Sequence, residues 1–522
     1  MKINCLKLNV TRKTIISSLG AIYLSFFSCI GVSGKSNSRE MPFTNEWGSL
    51  LKHEAAPEWF ADAKLGVYFH WGVYSVPAWG SEWYPRWMYI YDRQGWGQEI
   101  YEYHRKTYGK DFHYHDFIPL WKAPNFNAAE WVDLFLSAGA KFVGSIAEHH
   151  DGFSLWDSKV NEFNSVDMGP GIDVVGAIAE ETRKRNMKFM ATFHHGFNQL
   201  FYPKERATYS GLVNRHTWIY DKTEVPKDEK YRKLYSNMSK QEADDLWLAK
   251  LVEVIDNYCP DYIWMDFCTE YIAESYRRKF LCNYFNKAAQ LNKNVVVNTK
   301  GTYFPTEIAV VNVERATMEN ITPDVWVTDF IVGGAWSYNK ARRVAMNPDK
   351  SIRMVADIVS KNGVVLFSVG PMADGTIPDE QAEVLRKMGK WFKLYGEAIY
   401  NTRPFISYGQ GPTVLKRNPE DEWNIYGGVN KNLDKLCPED IRYTYDNQRT
   451  VYAIQCGWKD GGLKHVLKVF TNNKAKALDV SVLGSDEKIK WENTNEGLVV
   501  HQPEVMPQEG QAAIVYKITI AQ

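Results

Sequence analysis

Eight short apolar runs occur along the chain, and each ends in polar residues that are capable of chemistry. Their apolar parts are nearly continuous rather than alternating, which is typical of strands buried on both faces. The runs are KLGVYFHWG (64–72), KFVGSIAEHHDG (141–152), KFMATFHHG (188–196), DYIWMDF (261–267), NVVVNTKG (294–301), IAVVNVER (308–315), VWVTDF (325–330) and GVVLFSVGP (363–371).

Most intervals between the runs are long enough for a helix. Segments 126–140 and 351–363 combine helical spacing of apolar residues with a glycine near the end. Eight such units predict an α/β fold, a TIM-like (β/α)8 barrel over residues 42–404. In that fold the active site lies at the carboxyl ends of the strands. Those ends carry His70, Glu148, His149, His150, His194, His195, Asp266, Lys300, Glu314 and Asp329.

Two long segments interrupt the barrel pattern, and after the barrel the pattern of apolar residues changes. Residues 84–125 and 197–245 are predicted to be insertions that shape a substrate pocket. From residue 405 onward short β-type runs alternate with turn residues, as in TVYAIQCGW, HVLKVFT and AAIVYKITIA. This pattern predicts an antiparallel β-sandwich over residues 405–522.

Composition narrows the class of ligand. The chain has 62 basic and 62 acidic residues, so its formal net charge is +0 and we expect no nucleic-acid partner. Nineteen Trp and 30 Tyr are many for 522 residues. Aromatic rings suit the apolar faces of sugars, and they also suit a large aromatic core; the count alone leaves both open.

The first 35 residues are predicted to be a secretory signal peptide. Basic residues precede the apolar stretch TIISSLGAIYLSFFSCIGVSG, which is rich in small residues at its end. A permanent membrane anchor is the alternative, because the stretch approaches spanning length. Cys29 makes a lipoprotein possible. We expect a periplasmic or cell-surface protein with no stable membrane span once the signal is removed.

Several segments resemble the α-L-fucosidases of glycoside hydrolase family 29. They are FADAKLGVYFHWGVYSVPAWGSEWY, HHDGFSLWDSKVNEFNSVDMGPGIDVVG, YCPDYIWMDF, IVSKNGVVLFSVGPMADGTIPDEQ and GEAIYNTRPF. The resemblance covers nearly the whole barrel and implies a bacterial, secreted, retaining exo-glycosidase. Its substrate would be terminal α-L-fucose on an oligosaccharide or glycoconjugate.

The resemblance also implies the catalytic residues. The family's nucleophile ends the fourth strand, which is the position of Asp266, and a carboxylate there stabilises an oxocarbenium-like transition state. Glu314 at the end of the sixth strand is the best candidate for the acid/base. Nearby Trp326 is expected to supply an apolar wall for it. The alternatives for this role are Glu307, Glu319 and Glu148.

Fucose carries several hydroxyls and no charge, so its recognition needs neutral hydrogen-bonding groups. By resemblance, His70, His149 and His150 bind the hydroxyls, with Glu82 and Trp83 completing the pocket. Trp83 and Trp264 are expected to contact the sugar's methyl group. The paired histidines also suit zinc or iron. Because no complete ligand set appears in the sequence, we expect neither a metal nor another cofactor.

The chain departs from the family pattern at three strand ends. His194 and His195 replace a common Tyr-Tyr-Ser run, Lys300 replaces a bidentate arginine, and Asp329 lies where Trp-Glu-Thr is common. His194 and Lys300 are therefore added to the predicted substrate-binding residues. These changes leave the exact sugar and linkage open, so an enzyme for a related L-sugar such as α-L-galactoside is an alternative. Two alternatives from other classes are a sugar-binding barrel with weakened catalysis and a metal-dependent hydrolase that uses the paired histidines.

Overall fold

The computed structural model describes residues 41–90, 96–202, 225–418, 428–473 and 475–521. Within them, eight parallel strands close a barrel in chain order, which confirms the predicted fold class. Seven of the eight strands lie within the predicted apolar runs, and β7 extends one residue past its run, to Ile331. Their bounds are β1 Leu65–Phe69, β2 Phe142–Glu148, β3 Lys188–Phe193, β4 Tyr262–Met265, β5 Val296–Thr299, β6 Val310–Glu314, β7 Trp326–Ile331 and β8 Gly363–Val369.

Helices lie before and between the strands. Both helices predicted from apolar spacing, within 126–140 and 351–363, are present. The second begins before the predicted segment, at Pro348, because proline suits the first turn of a helix. Their bounds are α1 Trp47–Leu50, α2 Glu58–Ala63, α3 Tyr84–Trp87, α4 Trp96–Thr107, α5 Ala128–Ser137, α6 Val174–Lys184, α7 Asn198–Phe201, α8 Lys240–Tyr258, α9 Glu274–Gln290, α10 Pro348–Ser360 and α11 Asp379–Tyr395.

Helix α5 shows how the sequence fixes an element locally. The side chain of Asn127 accepts hydrogen bonds from the backbone N–H groups of Ala129 and Glu130, which caps the first turn. Gly139, at φ 96°, turns the chain out of the helix in a conformation that favours glycine. Together these two residues set where the chain enters β2.

The barrel interior is filled by large side chains in register. Tyr68, Met190, Trp264, Val310 and Val327 belong to one buried cluster inside the barrel. Because side chains alternate along a strand, the residue two positions after an inward one points the same way. His70, two residues after Tyr68, and Asp266, two residues after Trp264, therefore also point into the barrel. They form a polar layer over the apolar interior.

Two antiparallel sheets follow the barrel. One has the strand order β13-β16-β11-β10-β9 and the other β12-β15-β14; apolar side chains from both sheets form a separate core. The strands are β9 Arg403–Gln410, β10 Ile441–Tyr445, β11 Thr450–Gln455, β12 Lys464–Leu467, β13 Ala477–Val482, β14 Trp491–Thr494, β15 Gly497–His501 and β16 Ile514–Ile520.

A buried ion pair joins the barrel to these sheets. Asp357 on α10 accepts a hydrogen bond of 2.6 Å from Nε of Arg442 on β10 and another of 2.8 Å from Lys361. All three side chains are buried. An ion pair that is fully hydrogen-bonded in this way fixes the geometry of an interface, and breaking it would leave an uncompensated charge.

Parts of the sequence-based predictions lie outside the described residues. The predicted signal peptide and Cys29 do so entirely, and the two predicted pocket insertions do so at residues 91–95 and 203–224. Within the described part of the chain, no helix has both the length and the apolar character that crossing a membrane requires.

Candidate active site

The polar ring predicted from the strand ends forms one cluster at the carboxyl end of the barrel. Most of its side chains are buried, and they contact one another directly across the mouth of the barrel. Its centre is the carboxylate of Asp266, which follows β4. The roles assigned from the sequence stay predictions; the geometry below shows which of them are physically compatible.

Asp266 is held by two cationic or hydrogen-bonding side chains. Its Oδ1 lies 2.9 Å from the ammonium of Lys300, and its Oδ2 lies 3.4 Å from Nε2 of His150. Burial raises the pKa of Asp266, but the charge of Lys300 and the hydrogen bond from His150 outweigh it and hold the pKa well below its usual range. Asp266 is therefore an ionised carboxylate in a largely enclosed pocket.

Lys300 also contacts the second carboxylate. Its Nζ lies 2.9 Å from Oε2 of Glu314, the last residue of β6, whose side chain keeps 20% of its surface exposed. The ammonium lies 5.0 Å from the centre of the Trp264 ring beneath it. Because one nitrogen touches Asp266 and Glu314, the two contacted carboxylate oxygens are no farther apart than twice 2.9 Å. That limit matches the separation of about 5–5.5 Å found in retaining glycosidases and excludes the wider inverting spacing of about 6.5–9.5 Å for these oxygens.

Four histidines form one wall of the pocket. The rings of His149 and His194 stack with centroids 4.5 Å apart, and His70 lies 5.4 Å from His194. His150 is oriented by Nδ1, which lies 2.5 Å from the backbone oxygen of His194. Burial lowers the pKa of His70 to about 3 and those of His149 and His194 well below the usual range. These three rings are neutral at physiological pH.

The residues predicted from GSEWY reach the same pocket. Glu82 is buried and accepts a hydrogen bond of 3.3 Å from the backbone N–H of Ser337; burial raises its pKa to about 7. Trp83 is half-buried, lies parallel to the ring of Phe267, and presents an edge to His150. Trp264 belongs to the barrel interior, so it forms the floor of the pocket rather than its rim.

The other glutamates considered for the acid/base role bind other residues or lie outside the pocket. Glu148 is buried in an ion pair of 2.7 Å with Lys250 and accepts a hydrogen bond from Ser154. Glu307 is exposed. Glu319 accepts from the backbone N–H of Arg417. Of the four glutamates considered from the sequence, Glu314 is the one with a contact that links it to Asp266.

Two further positions of the ring, and Trp326, make contacts other than those expected for sugar binding. His195 faces away from the pocket and stacks on Trp247 of α8. Asp329 pairs with Glu314 in the β6–β7 register and accepts a hydrogen bond from the Tyr68 hydroxyl; burial raises its pKa to about 6. Trp326 lies at the opposite end of β7, beside Val311. The expectation that Trp326 walls Glu314 is therefore wrong, because the strand register separates them.

Sequence reasoning missed two pocket residues. Trp336, on the loop after β7, tilts over His70 with ring centres 5.1 Å apart, and the following residue Ser337 pairs with His70 as an isolated bridge. Glu270 lies in the short 3-10 turn after Asp266, and its Oε2 is buried and has no hydrogen-bond partner in the described ranges. The only signal for either was its position after a barrel strand.

Comparison with known proteins identifies relatives over almost the entire chain. A family model for alpha-L-fucosidase matches residues 31–397, and a model for the alpha-L-fucosidase C-terminal domain matches residues 434–520. The tissue alpha-L-fucosidase of Rattus norvegicus is 28% identical over 482 residues, which are 89% of each chain. The crystal structure of the Thermotoga maritima alpha-fucosidase in complex with fucose superposes with a TM-score of 0.70 at 26% identity, covering 91% of this chain and 100% of that one. A second structure of that protein, in complex with a mechanism-based inhibitor, has the same score, identity and coverage.

Proposed function

The chain belongs to the α-L-fucosidase family of glycoside hydrolases, and we propose that it releases terminal α-L-fucose by double displacement with Asp266 as nucleophile and Glu314 as acid/base. The observation that carries this assignment is the Lys300 ammonium, which lies 2.9 Å from one oxygen of each carboxylate. Those two oxygens are therefore closer together than the spacing of about 6.5–9.5 Å that inverting enzymes need. The relatives cited above are all fucosidases, and no contact among the described pocket residues favours an L-galactoside.

In the first step Asp266 attacks the anomeric carbon. The carboxylate is ionised and oriented by Lys300 and His150, so it approaches as an anion whose position is already fixed. As the bond to the leaving oxygen breaks, positive charge develops on the sugar ring, and the anion stabilises it. The product of this step is a covalent fucosyl-enzyme and a free aglycone.

Glu314 acts on the leaving group in the first step and on the attacking water in the second. It donates a proton to the leaving oxygen and then, as a carboxylate, removes a proton from the water that attacks the fucosyl-enzyme. Its partial exposure fits this role because both the leaving group and the water must reach it. Two inversions at the anomeric carbon return fucose with its original α configuration.

The neutral rings of His70, His149 and His194 suit binding of the sugar rather than the chemical steps. Imidazole offers one donor and one acceptor when uncharged, which matches hydroxyl groups that also both donate and accept. His149 Nδ1 and His194 Nδ1 are buried without a hydrogen-bond partner among the described residues. A bound fucose would satisfy such atoms, and the half-buried rings of Trp83 and Trp336 provide apolar surface for its methyl group.

The test is the Asp266→Ala variant measured on an aryl α-L-fucoside. We expect nearly all turnover to be lost and added azide to restore part of it by occupying the vacated space. Asp261→Asn is the matched control, because Asp261 lies at the opposite end of β4 and bonds the backbone of Phe189. Proton NMR of the first-formed fucose must show the α anomer. Near-normal turnover in Asp266→Ala, or a β product, would reject the assignment.

The predicted location is part of the same proposal. We infer a bacterial enzyme exported by its first 35 residues, supported by the basic start and apolar stretch in that segment. Mass spectrometry of the mature chain after expression with its own leader separates three outcomes. Cleavage near residue 35 supports export as a soluble protein, a lipid on Cys29 supports a lipoprotein, and an intact leader contradicts both.

A further inference from the structure

Three buried histidines in the pocket bring their ring nitrogens together. His70, His149 and His194 each offer one nitrogen, and these three atoms all lie within 4.8 Å of one another. The residues come from the ends of β1, β2 and β3, so the barrel itself holds the cluster in place. Each residue is 3% exposed. Within the described parts of the chain, it is the one group of at least three histidines, cysteines or carboxylates with this geometry.

The nitrogens in this cluster are available. Nδ1 of His70 lies 2.7 Å from the Ser368 hydroxyl, which leaves Nε2 of that ring for the pocket. Nδ1 of His149 and Nδ1 of His194 are buried, and they have no hydrogen-bond partner in the part of the chain that the structure describes. His150 differs, because its Nδ1 meets the backbone of His194 and its Nε2 meets Asp266.

Buried imidazole nitrogens that converge from the ends of three strands are well suited to bind a transition-metal ion. Zn²⁺ takes neutral imidazole readily, and three histidines with a free fourth position form an open tetrahedral site. Zinc–nitrogen bonds of about 2.0–2.1 Å place two ligands of one ion about 3.4 Å apart, so an ion would draw these rings together by little more than about 1 Å. The hydrogen bond from Ser368 is the kind of outer contact that orients a metal-binding histidine.

We propose that His70, His149 and His194 form a binding site for a divalent transition metal of the zinc class, and that the bound metal excludes the sugar. The exclusion rests on the proposed function, since it assumes that fucose occupies this wall; the metal site itself does not. The metal is an inhibitor and not a cofactor, because the double displacement by Asp266 and Glu314 uses no metal at any step. His194, which directly follows β3, supplies the third ligand.

Metal binding is tested on the full chain without substrate. After removal of metals with a chelator, Zn²⁺ is titrated by calorimetry, and Co²⁺ is followed by its visible absorption, which is intense in tetrahedral sites. We expect one ion per chain. His194→Phe is expected to weaken binding by at least about tenfold, since loss even of an outer contact to a metal ligand costs about 10–100-fold.

The matched control is His195→Phe. His195 is the neighbouring residue, is equally enclosed, and stacks on Trp247 outside the cluster, so its substitution should change zinc affinity by less than about twofold. His149→Phe provides a second test if His194→Phe fails to fold, which circular dichroism reveals. Absence of binding in the native chain, or equal weakening by the substitutions at 194 and 195, overturns the site.

Exclusion of the sugar is tested by kinetics. Zn²⁺ should raise the KM for an aryl α-L-fucoside without changing kcat, and a chelator should reverse the effect. Stoichiometric zinc binding with no effect on KM would keep the metal site but refute the overlap with the sugar. Because zinc binding is measured without turnover, failure of the site leaves the assignment of Asp266 and Glu314 untouched.

Discussion

The ammonium of Lys300 lies 2.9 Å from Oε2 of Glu314, so the proposed acid/base is ion-paired in the free enzyme. The same ammonium contacts the nucleophile, and it is almost entirely buried. Lys300 is a compact point charge, whereas an arginine could bind one carboxylate with two parallel hydrogen bonds. For Glu314 to protonate a leaving oxygen, this contact must loosen when substrate binds, while the contact to Asp266 persists.

Replacing Lys300 with methionine is expected to shift the pH dependence of catalysis. Without the ammonium, burial dominates and the pKa of Asp266 rises, because an opposite charge at this distance lowers a carboxylate pKa by about 1–3 units. The acidic limb of kcat/KM should therefore move up by about 1–3 pH units. Lys300→Arg keeps the charge and should leave the limb close to that of the native enzyme. An unmoved limb in Lys300→Met would show that Lys300 does not control the ionisation of Asp266.

Much of the fold could be predicted because buried parallel strands leave a strong signal. Near-continuous apolar runs such as those ending at Asp266 and Glu314 are hard to bury in any other way. The same signal predicted which residues cluster at the pocket, since the carboxyl ends of all strands in a parallel barrel lie on one face. The antiparallel strands β9, β10 and β14 were not predicted, because polar residues interrupt their apolar positions.

What the sequence could not provide was side-chain direction and contacts between distant loops. His194 and His195 are adjacent and chemically identical, yet one enters the pocket and the other faces α8. Trp336 reaches His70 only because the loop after β7 pairs beside β1. Such contacts depend on how loops cross the barrel mouth, which local residue patterns do not encode.

Glu314→Gln is expected to distinguish substrates by their leaving groups. An aryl aglycone leaves with little protonation, whereas a sugar or alkyl aglycone requires it. The variant should therefore slow natural fucosides by about 10²–10⁴-fold and slow the first step of aryl fucosides far less. Glu307→Gln, on the exposed surface, is the control and should behave like the native enzyme. If Glu319→Gln shows the selective loss instead, the acid must be reassigned.

His149→Ala is expected to weaken fucose binding in the absence of metal. The loss of one hydrogen bond that leaves a buried hydroxyl unpaired costs about 1–3 kcal/mol, which corresponds to roughly a 5–150-fold rise in the inhibition constant of free L-fucose. The measurement is competitive inhibition in the presence of a chelator. His195→Ala should leave this constant nearly unchanged, and equal effects at both positions would mean that His149 acts through the fold rather than through the sugar.

Asp151 follows His149 and His150 in the chain and should make stability depend on pH. It is buried and accepts a hydrogen bond of 2.6 Å from the Tyr114 hydroxyl. Burial, with a further contribution from the charge of Glu148, raises its pKa from 3.8 to about 7. Between pH 4 and pH 7 the folded protein therefore keeps a proton that the unfolded chain has released. The stabilisation is complete below about pH 4 and is lost as the pH rises through 7.

Asp151→Asn removes this titration while keeping an oxygen that can accept from Tyr114. Glu82 and Asp329, whose pKa values are also raised, titrate in both proteins and cancel in the comparison. The free energy of unfolding of the variant minus that of the native protein should therefore increase from pH 4 to pH 8, by on the order of a few kcal/mol. Urea unfolding at intervals across this range measures the difference. Parallel stability curves for the two proteins would show that Asp151 is already ionised in the folded state at low pH.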